Sequence, residues 1–443
     1  MKKYLVIITA IFLGISVEAQ ESSMTLSLQE AIDFAIKNSY DNKVAQRDIE
    51  SAKQQKWETT TIGLPQIEAT VDYQHWLKQQ VTLFDTNGDG INEEFTFGTK
   101  QNVNAAVTLR QLIFDGSYIV GLQSARTFLK ISQQAKEKTE LLTREAVINA
   151  YGNVLVTEKS IEIFENNEKI LEKNFNDAKK IFENGLNEEE DVEQLEITLG
   201  NIKSQLNSLK RLKVIAYQML NVTLGNDIDT ELTLTDNLDS LTETNIDFGL
   251  ISQSFNLNDH IDYKIAENDR ESKRLLMQLE KSKALPTLNA FVNYGSQANS
   301  DSFSFFNGNQ EWFNYSLLGV SLKVPIFSSF GRSAKTQRAK IDLEVADIRL
   351  KETEEKLSLQ AKRAKSDYQL SIEDYQTAKK NLNLAERIEK KQRIKFFEGL
   401  STSFDLTQAQ NQLYSQQQTF IQSMLDVIAK KAALENALNI PVK

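Results

Sequence analysis

The chain has 443 residues and no cysteine, which excludes a disulfide framework, thiol chemistry and a lipid on a cysteine, so packing alone must hold the fold. Its formal net charge of -10 argues against a nucleic-acid partner. Only four prolines occur, at positions 65, 286, 325 and 441, and so few breakers point to long helices.

The start reads as a secretory signal over 1–19. Lys2 and Lys3 are basic, Leu5 to Val17 is an apolar run too short to span a bilayer, and Val17-Glu18-Ala19 supplies small residues for cleavage before Gln20. Cleavage removes two lysines and one glutamate, taking the net charge from -10 to -11. No later stretch offers ~20 apolar residues, so no transmembrane helix is expected. An exported chain of this kind is secreted, periplasmic or an outer-membrane barrel.

The first repeat is predicted over 20–225. It opens with a helix over about 27–62, followed by strands over about 66–82 and 96–114. A long helix runs over about 117–184, a glycine turn reverses the chain, and a helix returns over 191–224. A connector follows over 226–246, expected near an equatorial region. The second repeat, 247–443, has the same layout: a helix over 247–284, strands over about 287–299 and 312–326, a long helix over about 333–398, and a return over 403–438. Tyr368, Ile372, Tyr375, Ala378, Leu382, Ala385 and Ile388 form one apolar stripe of coiled-coil type, and Leu406, Ala409, Leu413, Phe420 and Met424 form another. At 1.5 Å per residue each long helix reaches roughly 100 Å.

The duplication is carried by matches in the same order. Leu64-Pro65-Gln66-Ile67-Glu68-Ala69 matches Leu285-Pro286-Thr287-Leu288-Asn289-Ala290, an offset of 221. Phe182 to Asp191 matches Phe396 to Asp405, an offset of 214, with Gly-Leu followed by an Asp six residues after the glycine. Leu220 and Leu224 match Leu434 and Leu438.

All four strands alternate. Ile67, Ala69, Val71 and Tyr73 oppose Gln66, Glu68, Thr70, Asp72 and Gln74; Val103, Ala105, Val107 and Leu109 oppose Asn102, Asn104, Thr108 and Arg110. Leu288, Ala290, Val292 and Tyr294 oppose Thr287, Asn289 and Asn293; Val320, Leu322 and Val324 oppose Ser321 and Lys323. Segments of ~10 residues with this pattern suit a transmembrane barrel, and a half-buried soluble sheet alternates in the same way. Export and the absence of a β-rich remainder favour the barrel. Four strands cannot close one, because about eight is the practical minimum, so several chains would have to share it. Spacing alone leaves their number open.

Three groups of residues stand out. Glu188, Glu189, Glu190 and Asp191 crowd a helix start, and Asn187 with Glu190 fits a capping box. Such acids complement the helix dipole, and multiplied by symmetry they would also ring a tunnel mouth. Asp85, Asn87 and Asp89, followed by Gly90, resemble the start of a calcium loop. Thr96 stands where the closing glutamate belongs, leaving Glu93 or Glu94 as substitutes; Asn-Gly and Asp-Gly also favour a plain hairpin turn. Phe303, Phe305, Phe306, Trp312 and Phe313, with Tyr73 and Trp76, read either as loop packing or as an interfacial girdle, and the girdle is expected. The two histidines, His75 and His260, lie in unrelated elements, no phosphate loop occurs, and no catalytic set or cofactor is expected; the chain is not expected to be an enzyme.

Taken together these motifs resemble the TolC-like outer-membrane factor family over almost the whole mature chain. The opening Thr25-Leu26-Ser27-Leu28-Gln29-Glu30-Ala31-Ile32 with Ala35 and Asn38, the Leu-Pro pairs, Leu112-Ile113-Phe114-Asp115-Gly116, Val324-Pro325-Ile326-Phe327 with Gly331, and Leu220-Asn221-Val222-Thr223-Leu224-Gly225 all resemble family segments. The resemblance implies a mainly α fold with a transmembrane β part: a homotrimer with a 12-stranded barrel in the outer membrane above a long periplasmic α-helical barrel. It implies a channel of a tripartite efflux or type I secretion system, partnered by a periplasmic adaptor protein and an inner-membrane transporter of RND or ABC type. It places adaptor docking at Gly185, Leu186, Gly399 and Leu400. It lets Asp405 line a constriction and Asp191 join gate bonds, although Ser401 and Phe396 stand where relatives have an arginine and a hydroxylated aromatic. The alternatives are a periplasmic adaptor or a helical scaffold of an export complex.

Overall fold

The computed structural model describes residues 24–441 except 86, 87, 89, 91 and 187, and the predicted signal segment lies outside the described residues. In chain order the elements are β1 (Met24–Leu26), α1 (Leu28–Asn38), α2 (Tyr40–Thr61), β2 (Gln66–His75), β3 (Val81–Phe84), β4 (Glu93–Thr96), β5 (Gln101–Asp115), α3 (Gly116–Glu183) and α4 (Glu189–Leu224). They continue with β6 (Leu232–Leu234), α5 (Leu238–Thr244), α6 (Phe248–Ser252), a 3-10 turn (Leu257–Asp259), α7 (Ile261–Ser282), β7 (Thr287–Ser300), β8 (Phe313–Lys323), α8 (Gly331–Phe397) and α9 (Ser403–Ala437). The residues cluster into two compact units, each drawing on both sequence repeats. One takes the chain up to Ala45, Lys136–His260 and Lys356 onward; the other takes Gln46–Ala135 and Ile261–Glu355.

The first unit is helical. Its buried side chains recur every seven residues: Leu195, Ile202 and Ala216 in α4, Phe164, Leu171 and Ala178 in α3, Leu406, Leu413, Val427 and Leu434 in α9, and Ala361, Tyr368, Tyr375, Glu389 and Phe396 in α8. A strict seven-residue period under-winds the helices into a left-handed coiled coil. It also corrects the stripe expected in α8. There Ile388 is exposed and Glu389 is buried, because the seam runs Leu382, Glu389, Phe396 rather than following the 3.6-residue period.

The core of this unit gathers around two fully buried tyrosines. Tyr151 donates to Leu26 O at 3.1 Å and to Asp236 Oδ2 at 2.9 Å; Tyr368 donates to Asn245 O at 2.6 Å and accepts from Asp247 N at 2.8 Å. The connector is thereby fixed to both long helices, and its β6 pairs in parallel with β1.

The repeat is visible as geometry. Gly225, left-handed at φ 82, has Leu224 behind it and the Asn38 backbone against it. Offset by 214, Asn439 is left-handed at φ 54, and its side chain donates at 3.1 Å to the carbonyl of Asp259, which is Asn38 offset by 221. The first helix of each copy differs from expectation at one shared place. The helix predicted over 27–62 breaks at Ser39, which is extended (ψ 148). The helix predicted over 247–284 is broken after Ser252 and again at His260, the position of Ser39 offset by 221, which separates the 3-10 turn from α7. Ser39 Oγ accepts from Asn42 Nδ2 at 2.9 Å, a local bond that competes with helix continuation.

The second unit holds a four-stranded antiparallel sheet in the order β2-β5-β7-β8. The strands predicted over 66–82 and 96–114 are each shorter at the loop end, where β3 and β4 form a hairpin of their own.

Candidate functional site

The register of the sheet sorts its faces. Ile67 lies opposite Leu109, which lies opposite Val292, which lies opposite Leu318; the next row is Ala69, Val107, Tyr294 and Ser316. Apolar side chains on this face stand open, with Ile67 70%, Val71 73%, Leu318 74% and Val320 67% exposed. The opposite face is paired by polar groups: Arg110 with Glu68 at 2.9 Å, Asn293 with Thr108 at 2.8 Å, and Asn102 with Asn299 at 2.7 Å. Tyr315 lies over Gly295 on that face and donates to Asn104 Oδ1 at 2.8 Å. A sheet with bonded polar groups on one side and bare aliphatics on the other suits a lipid-facing wall. β2 and β8 each pair along one edge only.

The helical unit carries two turns of one construction. Gly185 and Gly399 both sit at φ 72, where a side chain is strained. Leu186 N donates to Ile181 O at 3.1 Å and Gly185 N to Phe182 O at 2.7 Å; Leu400 N donates to Lys395 O at 2.8 Å and Gly399 N to Phe396 O at 3.0 Å. Each turn is a Schellman motif that satisfies the last carbonyls of its long helix. Leu186 is 78% and Leu400 72% exposed, so each turn presents an apolar knob.

The helix starts beyond the two turns differ. Thr402 and Asp405 form a reciprocal capping box, with Asp405 N to Thr402 Oγ1 at 3.2 Å and Thr402 N to Asp405 Oδ2 at 3.3 Å. The bonds from the Thr402 side chain and backbone, then from Ser401, hold the Asp405 carboxyl below its ordinary range. Asn187 lies outside the described residues, and the N-cap is Glu188, without a side-chain cap bond. Glu188, Glu189 and Glu190 are exposed. Asp191 Oδ1 accepts from Ser403 N at 3.1 Å, joining the first turn of α4 to that of α9 above a small core of Ala178, Leu195, Phe396 and Leu406.

A family model described as outer membrane efflux protein matches residues 31–226 and 257–439, one stretch in each repeat. The chain belongs to the outer membrane efflux protein family. The toluene efflux pump outer membrane protein TtgC of Pseudomonas putida is 22% identical over 422 residues, 93% of this chain and 82% of that protein. Among solved structures, the outer membrane protein VceC of Vibrio cholerae superposes with a TM-score of 0.72 at 14% identity, covering 94% of this chain and 97% of that one. The CmeC outer membrane channel of Campylobacter jejuni gives 0.71 at 16%, covering 93% and 85%. The protein is an outer-membrane efflux channel subunit reaching into the periplasm, and the matched relatives are efflux proteins rather than enzymes. Family membership through both repeats sets aside the adaptor and scaffold alternatives.

Within this efflux protein the remaining candidates fall as follows. Of the calcium candidates, Asn87 and Asp89 lie outside the described residues. Asp85 accepts from Gly88 N at 2.8 Å and Gly90 N at 3.0 Å, closing the hairpin tip, while Glu93 is a strand residue of β4 opposite Phe84. Among the described residues no cluster of three or more His, Asp or Glu side chains is arranged to hold a metal. The aromatics divide. Tyr73 meets Phe303 edge-on at 5.8 Å and Phe305 at 6.0 Å, with Phe305 buried, so this group packs the β7–β8 loop onto the β2 edge. Phe313 lies opposite Gln297, in the row of Asn104 and Asp72, on the polar face. It is therefore no part of a lipid-facing girdle. Sequence reading missed Glu389, whose carboxyl is pushed up by burial and pulled back by Arg393 at 3.8 Å. The seven-residue seam is the signal that would have found it.

Proposed function

We propose that three copies of this chain assemble into one conduit. Their sheets close a 12-stranded barrel in the outer membrane and their helical units form the periplasmic passage. The Gly185-Leu186 and Gly399-Leu400 turns dock a periplasmic adaptor protein. Through it the channel is coupled to an inner-membrane transporter of RND or ABC type, and Glu188, Glu189, Glu190, Asp191 and Asp405 ring the mouth. The observation that carries the reading is the sheet of four strands with a bare apolar face and two single-sided edges. Four strands are too few to close on themselves, and an open edge in lipid leaves backbone groups unsatisfied. The exposed leucines beside two left-handed glycines support docking, and the efflux-pump names of the relatives favour efflux over secretion. The test is purification in detergent followed by single-channel recording. A stable oligomer with discrete conductance is expected; a water-soluble, non-conducting monomer overturns the proposal. Gly185→Trp or Gly399→Trp is expected to abolish export while leaving the heat-modifiable oligomer intact, and normal export by both variants removes the docking role.

A further inference from the structure

We infer that the elbow between β8 and α8 docks on the periplasmic leaflet of the outer membrane and there selects an anionic phospholipid headgroup. The inference rests on the membrane-embedded sheet proposed above and goes further by naming a lipid class and the residues that select it. The elbow is the chain from Val324 to Phe330. Ile326, three residues past the end of β8, keeps the sequence parity of Leu318, Val320 and Leu322 in the bare apolar row. It is 90% exposed, with Phe327 at 75% and Phe330 at 77%. The two rings meet edge-on at 6.0 Å. Ser329 and Phe330 are both left-handed, at φ 48 and 62, a conformation that side chains rarely adopt. Water offers such an apolar knuckle no contact, whereas the boundary between acyl chains and headgroups does.

Charge decides which lipid. α3 and α8 are the equivalent long helices of the two repeats, and their starts differ. At α3, Asp115 Oδ1 accepts from Ser117 N at 2.7 Å, and no cation follows before Arg126. At α8 the first turn holds no acid, and Arg332, Lys335, Arg338 and Lys340 all fall within ten residues of the start. Cations at a helix start oppose its dipole, so helix stability does not call for them. Arg332 has a structural task, because its Nη2 donates to Pro325 O at 3.1 Å and ties the helix to the elbow. Lys340 pairs with Glu344 at 3.8 Å. Lys335 and Arg338 are exposed, and neither is in an ion pair among the described residues. Three residues apart, they share one side of the helix, and Lys340 is turned away from Arg338. They lie roughly 6 and 10 Å along the axis from Gly331. From there long side chains reach back toward a headgroup plane. An anionic headgroup supplies the partner that the chain withholds from both.

The absence of cysteine lets a single label be placed at will. Phe330→Cys, carrying an environment-sensitive fluorophore, is reconstituted as the full channel in phosphatidylcholine vesicles with a minor share of brominated phosphatidylglycerol. Bromine quenches only a fluorophore in contact with it. Quenching is expected to exceed that by brominated phosphatidylcholine at the same share by about threefold. Lys335→Gln with Arg338→Gln, or high salt, should bring the two lipids level, while Lys340→Gln leaves the excess in place. The same label at Leu318→Cys, on the open face, calibrates the assay and should be quenched by both lipids alike. Equal quenching of the Phe330 label by the two lipids in the parent chain overturns the inference, and so does an excess that survives the double substitution. No quenching at 330 with quenching at 318 means that protein, a neighbouring copy included, covers the elbow; the inference falls and the membrane-embedded sheet stands. No quenching at either position overturns both.

Discussion

The sheet and the coiled-coil unit use the same apolar residues in opposite senses. In the helical unit the seven-residue seams bury Leu171, Leu220, Leu406 and Met424 completely; in the sheet Val71, Leu318, Val320 and Leu322 stand open while polar pairs occupy the other face. Each arrangement hides apolar surface from water, one against neighbouring helices and the other against lipid. A side chain's exposure therefore reports its solvent, and the two regions should respond differently to the same kind of substitution.

Tyr151→Ala offers the largest expected effect. It removes a fully buried ring and its bonds to Leu26 and Asp236, at a cost of about 3–5 kcal/mol. The helical circular-dichroism melt should fall by several degrees; an unchanged melt would show that the connector is not pinned there. Val320→Arg on the open face should cost about 2–4 kcal/mol if that face meets lipid. The heat-modifiable oligomer should vanish from the outer-membrane fraction, with Val320→Leu behaving as wild type. If Val320→Arg inserts normally, the face is water-exposed and the contrast between the regions fails.

Glu389 sharpens the comparison by placing a charge where the coiled coil requires burial. Its carboxyl is raised above the ordinary 4.5 by burial, so the folded chain holds the proton more tightly than the unfolded one. The site is therefore least costly at low pH, and stability falls as pH rises through the ordinary value to the raised one. Glu389→Gln should stabilise by about 1 kcal/mol at neutral pH and by nothing measurable below pH 4, as seen in paired melts. The smallest effect belongs to Asp405, whose depressed carboxyl stabilises the start of α9 above its ordinary value and loses that contribution as pH falls through the folded value. Amide exchange near 402–408 should rise on acidification in the wild type, and Asp405→Asn should flatten that dependence.

The alternating strands, the long helices and the two Gly-Leu turns could be read from the residues, because each depends on local periods and on backbone freedom at single positions. The break at Ser39 and its counterpart at His260 are not legible in the same way, since one extended residue ahead of a helix leaves no periodic trace. The β3–β4 hairpin merges into longer strands in a reading by period, because Leu77 keeps the parity of Tyr73 although β2 ends at His75. Phe313 looked interfacial by composition, and only its register against Gln297 put it on the polar face.

What the sequence determined by itself is the duplicated plan: the matched landmarks at offsets of 221 and 214, the faces of the strands, and the glycine positions that must turn left-handed. These follow from covalent geometry and side-chain period, which act over a few residues. The tertiary structure alone decided how the copies interleave. It joined β5 to β7, paired β1 with β6 across more than two hundred residues, and tied Asp191 to Ser403. Such choices depend on packing and hydrogen bonding between distant segments, and no local pattern encodes them.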